Sequence, residues 1–416
     1  MPSAIVVGGG VGGLVLARDL VAGGMSVTLL EASDRLGGKV ARHTVAGIDL
    51  DAGAESFANR GNTVAALAVE LGTEVVAPRS GGAWLKPVVG DPIPLPHTSL
   101  LGVPGTIAAD VIEVIGRRGA RRARLDGLLP AFVASRERTL GGLVRRRMGS
   151  AVLEKLVAPV TTGIHSRHPD DLDVDVVAPG LRAALLSSGS LARAVRTLRE
   201  AAPAGSAVSG ISGGIFELVQ RLALDLERHG GVIRTSARVA SVDSRGVTLV
   251  GGERLEADRV VLATPLEAPT ATTIALATLV LDDAALDAAP RGTGLLVAAT
   301  AEGVTAKALT HSTAKWPWLV DGVPEHRHVI RLSYNGAVPA DIETLARKDA
   351  ESLLGVSIPP AAVLGFDVVA WPAVPAAPTP IEGVTVVGES VAGTGLAAVV
   401  SQARREAERL LGEVET

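Results

Sequence analysis

The order of the first forty residues constrains this chain most: strand, glycine turn, helix, strand, acid. Ala4 to Val7 is a short, largely β-branched run, and Gly8, Gly10 and Gly13 then give the spacing G-x-G-x-x-G. Val11, Leu14, Val15 and Ala17 to Leu20 predict a helix with an apolar face, with Gly23-Gly24 at its C-cap. Met25 to Leu30 predict a second strand, closed by Glu31. A diphosphate needs backbone N–H groups and the positive end of a helix dipole, and a side chain at Gly8 or Gly10 would hold it away. Gly13 lets helix and strand pack closely. Glu31 falls where an acid accepts ribose hydroxyls, which disfavours a 2′-phosphorylated nucleotide. The glycines alone would fit a plain βα turn; with strands, helix and acid in place they point to a dinucleotide.

A second pattern begins at the same acid: Glu31-Ala32-Ser-Asp-Arg35-Leu-Gly37-Gly38-Lys39. The glycines let the chain pass close to a cofactor, and Arg35 and Lys39 can face phosphates or a substrate carboxylate. Here the chain resembles the flavin-containing amine oxidoreductases, whose dinucleotide fold is followed by E-x-x-x-R-x-G-G-[KR]. That resemblance implies FAD rather than NAD. It also makes Gly12 and Val11 of the turn, and Gly53, Ala54, Glu55 and Ser56 further on, cofactor contacts, with Asn59-Arg60 on the same approach. Val239 is the position whose backbone holds the adenine in that family, and Trp371 matches a tryptophan beside the flavin. Gly388-Glu389 and Gly395-Leu396 close the site, the helix from Leu396 aiming its positive end at the flavin pyrimidine.

A narrower resemblance, to bacterial porphyrinogen oxidases, rests on Arg138 to Gly149, Pro159, Gly163-Ile-His165, Leu309 to Trp318 and Val329 to Ser333. It covers both the protoporphyrinogen and the coproporphyrinogen III types and implies FAD-dependent oxidation of a porphyrinogen in haem biosynthesis, with oxygen as acceptor; the water-soluble, four-propionate coproporphyrinogen III, giving coproporphyrin III, is the expected substrate of a chain with no long apolar anchor. A planar tetrapyrrole needs an apolar slot with cations at its rim, for which Lys315, Arg331, His165 and Arg60 are the candidates; a structural histidine and sheet-edge charges remain alternatives. The implied fold is α/β: a Rossmann-type FAD-binding domain of residues 1–75, 206–268 and 366–416, a helical substrate lobe over 76–205, and an inserted antiparallel substrate sheet over 269–365. Two departures stand out: Ala370 and Ala376-Ala377 where the family often has arginine and Gln-Tyr, and Glu389-Ser390 where an acid commonly follows Gly-Asp or Gly-Ser. Protoporphyrinogen IX oxidation, an amine oxidase or desaturase activity, or a non-catalytic FAD-binding paralogue stay open. An amine cage is poorly supplied, since only 2% of residues are aromatic.

Composition bounds the rest. At 416 residues, 47% hydrophobic and 20% charged, the chain can bury a large core in two or three domains. With no cysteine there is no disulfide, thiolate metal site or cysteinyl flavin tether, and no metal-ligand constellation stands out. Without a basic n-region or a long uncharged apolar run, a cytoplasmic protein is expected. Ten arginines lie between Arg117 and Arg147 in a chain of net charge −4. They leave room for a peripheral contact with anionic lipid or a downstream haem-pathway enzyme; a solvated helical face is the plainer reading. No nucleic-acid partner is expected.

Overall fold

The computed structural model describes residues 1–80, 82–95, 99–165, 167–201, 208–265, 273–372 and 380–413. Ala376-Ala377 and positions 206, 268 and 269 lie outside the described residues. The chain divides into two compact units: Met1–Pro78, Ala207–Leu276 and Val369–Thr416 form the first, Arg79–Ser206 and Ala277–Val368 the second.

Alternation along short apolar runs builds the first unit. Its sheet has five strands in the order Val232–Arg234, Ser26–Leu30, Ser3–Val7, Arg259–Leu262, Val384–Val386, with every pairing parallel. Ala4 and Val6 face one side, where Leu14, Leu218, Leu222, Val400 and Ala403 cover them. Ile5 and Val7 face the other, with Leu30, Val260 and Leu262, against Val247 and Leu249. The helices Val11–Ala22, Phe216–Arg228 and Leu396–Gly412 cover the first face. An antiparallel meander, Val239–Asp243, Gly246–Leu249 and Arg254–Glu256, covers the second. Val232–Arg234 joins the parallel sheet, whereas Val239–Asp243 and Gly246–Leu249 belong to this meander.

The second unit holds a seven-stranded sheet in the order Val363–Pro372, Thr273–Asp282, Arg327–Asn335, Ala308–His311, Gly294–Val297, Trp84–Lys86, Ile93–Pro94. The last two come from a glycine- and proline-rich stretch within residues 76–205, expected to be helical. Proline fits there because Ile93–Pro94 is the edge strand, where a missing N–H costs no ladder bond. Gly294–Val297 pairs parallel with Trp84–Lys86 and antiparallel with Ala308–His311.

Helices Ala109–Arg124, Leu140–Arg147, Leu181–Ser188 and Leu191–Ala201 enclose a separate core of Val111, Leu143, Leu153, Leu185 and Val195. Inside it lies a fully buried ion pair. Arg147, 0% exposed, donates from Nε to Asp126 Oδ1 at 2.6 Å and from its Nη atoms to the carbonyls of Asp126, Pro130 and Gly189. Asp126 Oδ2 accepts from Ser190 Oγ at 2.7 Å and Ala192 N–H at 3.0 Å. One guanidinium thus ties its own helix to the 126–130 loop and to Gly189.

Breaking a buried pair from one side leaves an uncompensated charge, so Arg147→Ala should destabilise by about 3–5 kcal/mol. The check is a fall in urea midpoint at unchanged slope. A second expectation concerns pH. His311, 1% exposed, is held down to about 3 by burial and by neighbouring His328, against 6.5 for a free imidazole. His328 is lowered too, by burial, which outweighs its bonds to Asp287. The unfolded chain therefore binds these protons first, so the histidines' stabilisation is complete above about pH 6.5 and is lost as pH falls toward 3. For His311 the slope is about 1.4 kcal/mol per pH unit. Urea midpoints taken from neutral pH downward should fall, and His311→Phe should flatten the decline.

Candidate cofactor site

The first strand ends at Gly8, whose φ of +111° only glycine adopts comfortably. The following helix presses on that turn: a Cβ at Gly13 would stand 2.0 Å from Gly8 O. A Cβ at Gly12 would lie 3.1 Å from Val399 Cγ1 and 3.2 Å from Gly388 Cα, which brings the starts of the helices Val11–Ala22 and Leu396–Gly412 side by side. Neither helix has a side-chain cap: the N-cap residues are Gly10 and Gly395. The first helical bond of the earlier helix is Leu14 N–H to Gly10 O at 3.0 Å, so the amides of Val11, Gly12 and Gly13 point out of its end.

The space over these helix starts is open. A Cβ on Gly10, Gly393 or Gly395 would meet nothing within 4 Å, and one on Gly38 would meet only Gly10 Cα at 3.9 Å. Around this opening the structure gathers most of the expected cofactor contacts. Glu31 closes the second strand with its carboxylate already oriented: Oε2 accepts from Gly9 N–H, and Oε1 from Ser33 N–H and Oγ, all at 2.8 Å. Oε2 keeps a lone pair for a further donor. Ala32 and Arg35 are exposed on the adjoining loop, where Ser33 Oγ lies 2.7 Å from Arg35 O and can turn its one proton there instead. Gly37 N–H donates to Gly9 O at 2.8 Å, stitching the second glycine pair to the first turn.

Lys39 Nζ lies 2.6 Å from Glu389 Oε2, so two expected contacts neutralise each other. A Cβ on Gly53 would stand 2.2 Å from Lys39 O and 3.5 Å from the Trp371 ring, which joins these three residues in one wall. Ala54 is exposed beyond it, and Glu55 and Ser56 are half-buried. Val239 opens the meander, and just before it Ser236 N–H donates to Ser33 O at 2.7 Å and Ala237 N–H to Glu31 O at 2.8 Å. Val239 is thereby tied to the Glu31 loop.

The rim cations are placed less uniformly. Lys315 lies in the second unit, its ammonium 4.9 Å over the Trp316 ring. Arg331, on the strand Arg327–Asn335 opposite Thr310, is only 4% exposed. The side chains of Arg60 and His165 lie outside the described residues.

Two site residues escape the sequence reading. Thr264 sits 3.0 Å from where a Gly8 Cβ would be. Gln402 Oε1 accepts from Gly388 N–H at 3.0 Å while its Nε2 donates to Val386 O at 3.1 Å, fixing the turn before Glu389. Its one signal is a polar residue beside the buried stripe Val399, Val400 and Ala403.

Residues 11–296 match the flavin containing amine oxidoreductase family. The chain belongs to that family. It is similar to a coproporphyrinogen III oxidase of Mycobacterium leprae (strain TN), 28% identical over 98% of both chains. A coproporphyrinogen III oxidase of Staphylococcus aureus (strain NCTC 8325 / PS 47) is 26% identical over 79% of this chain and 77% of its own. Among solved structures, one from Exiguobacterium sp. 255-15, provisionally assigned as a protoporphyrinogen oxidase, superposes with a TM-score of 0.84 at 23% identity over 99% of each chain. The protein is an FAD-dependent oxidoreductase of α/β fold with a Rossmann-like flavin-binding unit. Uncapped adjacent helix starts, open glycines and a pre-oriented Glu31 fit a dinucleotide.

Two glycines three residues apart should respond differently. Gly10 has an ordinary φ of −73° and open space, so Gly10→Val should leave the urea midpoint nearly unchanged yet yield colourless protein that does not take up FAD. Gly13→Val drives a side chain into Gly8 O and should cost more than the roughly 1–3 kcal/mol of ordinary overpacking. Flavin absorbance and denaturation of both variants check this.

Proposed function

We propose that the protein oxidises coproporphyrinogen III to coproporphyrin III in haem biosynthesis, with oxygen as the terminal acceptor. The observation that carries this reading is the end-to-end similarity to a coproporphyrinogen III oxidase, 98% of each chain. The amides of Val11, Gly12 and Gly13 would hold the FAD diphosphate, Glu31 the ribose and the backbone of Val239 the adenine. The start of the Leu396–Gly412 helix would face the flavin ring, its dipole favouring negative charge there. Bound FAD supplies a two-electron acceptor, and three rounds remove six electrons and six protons from the macrocycle, reducing three O₂ to three H₂O₂.

The chain's own part is binding and placement. Trp371 against Gly53 gives an apolar wall, and the Lys39–Glu389 pair holds two charges near neutrality until a ligand competes for one. Of the cations assigned to propionates, Lys315 is half-buried and Arg331 almost wholly so, which makes Lys315 the stronger candidate. Coproporphyrinogen carries four propionates and stays in water; protoporphyrinogen replaces two with vinyl groups. Lys39, Arg60, Lys315 and Arg331, with His165, offer more positive charge than two carboxylates require.

The arginine-rich stretch supports a peripheral lipid contact within the same reading. Arg117, Arg118, Arg121, Arg124, Arg136 and Arg138 are exposed, and no ion pair involves them among the described residues. Leu128 and Phe132, 81% and 72% exposed, stand among them. Cations beside projecting apolar side chains suit an anionic bilayer surface. No helix among the described residues is long and apolar enough to cross a membrane.

Porphyrin fluorescence with each porphyrinogen under matched conditions tests the substrate. The coproporphyrinogen specificity constant should be the larger, and Lys315→Ala should lower it about tenfold, the loss of roughly 1.4 kcal/mol of binding. A larger constant for protoporphyrinogen would overturn the reading. On liposomes, flotation should require anionic lipid, weaken with salt at about 1 kcal/mol per engaged cation, and drop in Phe132→Ser. Salt-insensitive flotation, or none, rejects the lipid contact.

A further inference from the structure

Two parallel strands of the first unit separate at Glu31, and one residue sets how they do so. Ser26–Leu30 and Val232–Arg234 pair in register as far as Leu30 opposite Arg234. The ladder runs one bond further, from Glu31 N–H to Arg234 O at 2.9 Å. In a regular parallel pair the next bond would run from Ser236 N–H to Glu31 O. Ala237 N–H makes it instead, at 2.8 Å, so one extra residue is inserted opposite Glu31. Ser236 is that residue. Its φ of +54° lies in the left-handed region that side chains disfavour, and its N–H is swung away to Ser33 O at 2.7 Å.

The insertion thereby grips the arm that carries the acid. Ser33, held at its carbonyl by Ser236, donates its own N–H to Glu31 Oε1 at 2.8 Å. Glu31 is held at its backbone by Arg234 and Ala237 and at Oε2 by Gly9 N–H. Both flanks of the insertion are fixed: Arg234 forks onto Glu253 at 2.8 and 2.7 Å, and Ala237 is buried. Ser236 itself is exposed, so core packing does not account for its strained backbone. Strain of this kind persists where the surroundings over-determine it, and it gathers at binding sites.

We infer that Ser236 is a positioning residue of the nucleotide site: its left-handed insertion keeps the Glu31 carboxylate aimed for a ribose 2′-hydroxyl. The inference rests on the reading that Glu31 holds the ribose.

Calorimetry on the whole chain freed of flavin, with ADP against 2′-deoxy-ADP, tests it. Wild type should bind ADP about tenfold more tightly, as a hydrogen bond to a charged acceptor implies. Ser236→Gly, which adopts the left-handed turn freely, should keep that preference. Ser236→Val, whose β-branched side chain opposes the turn, should lose most of it. A merely structural role would weaken both nucleotides alike and leave their ratio unchanged. Should Ser236→Val fail to fold, amide exchange in wild type decides: by linkage, saturating ADP should slow exchange at Ser236 and Ala237 more than saturating 2′-deoxy-ADP does. A preference that persists in Ser236→Val or disappears in Ser236→Gly, or equal protection by the two nucleotides, overturns the inference and leaves Glu31 its role. Equal binding of the two nucleotides by wild type removes the role of Glu31, and the inference falls with it.

Discussion

The first unit depends on a methyl group that is absent. With no Cβ at Gly13, the Val11–Ala22 helix comes close enough to Gly8 O to turn three unbonded amides toward one opening. The same closeness at Gly12 admits Val399 and sets a second uncapped helix start beside the first. Two positive helix ends side by side repel each other weakly and attract a diphosphate and an electron-rich ring strongly. The site is in this sense prepared for charge it does not itself contain.

Much of this was legible because it is local. Strand, turn, helix and strand follow within thirty residues, each with its own period, and Glu31 falls where the geometry needs an acid. What gathers around them comes from far along the chain. Gln402 reaching Gly388 and Trp371 reaching Gly53 are contacts that no local pattern announces. The expected cofactor contacts at Gly388, Glu389, Gly395 and Leu396 came from family resemblance rather than from spacing.

The arginines show the same limit more sharply. Read as one charged stretch, they separate in the fold into distinct physical roles. Arg147 is buried against Asp126, Arg122 donates to the carbonyls of Arg146 and Arg147, and Arg145 and Arg146 pair with Asp170 and Glu137. The rest face solvent. Identical side chains in one run cannot reveal which will meet a carbonyl forty residues away. Arg331 is a like case, on a strand buried on both faces where the two-residue period that would mark an outward position is missing.

The first unit is assembled from three stretches of chain, and its last helix, Leu396–Gly412, packs on its first, Val11–Ala22. A ribosome makes these two partners nearly four hundred residues apart. The amides of Val11 to Gly13 emerge first and must wait, while the second unit, begun and finished in between, has time to organise its own cores. Only synthesis of the Leu396–Gly412 helix brings the two positive ends together. Flavin capture therefore waits for that helix, and disrupting it removes the cradle while sparing most of the residues that build the rest.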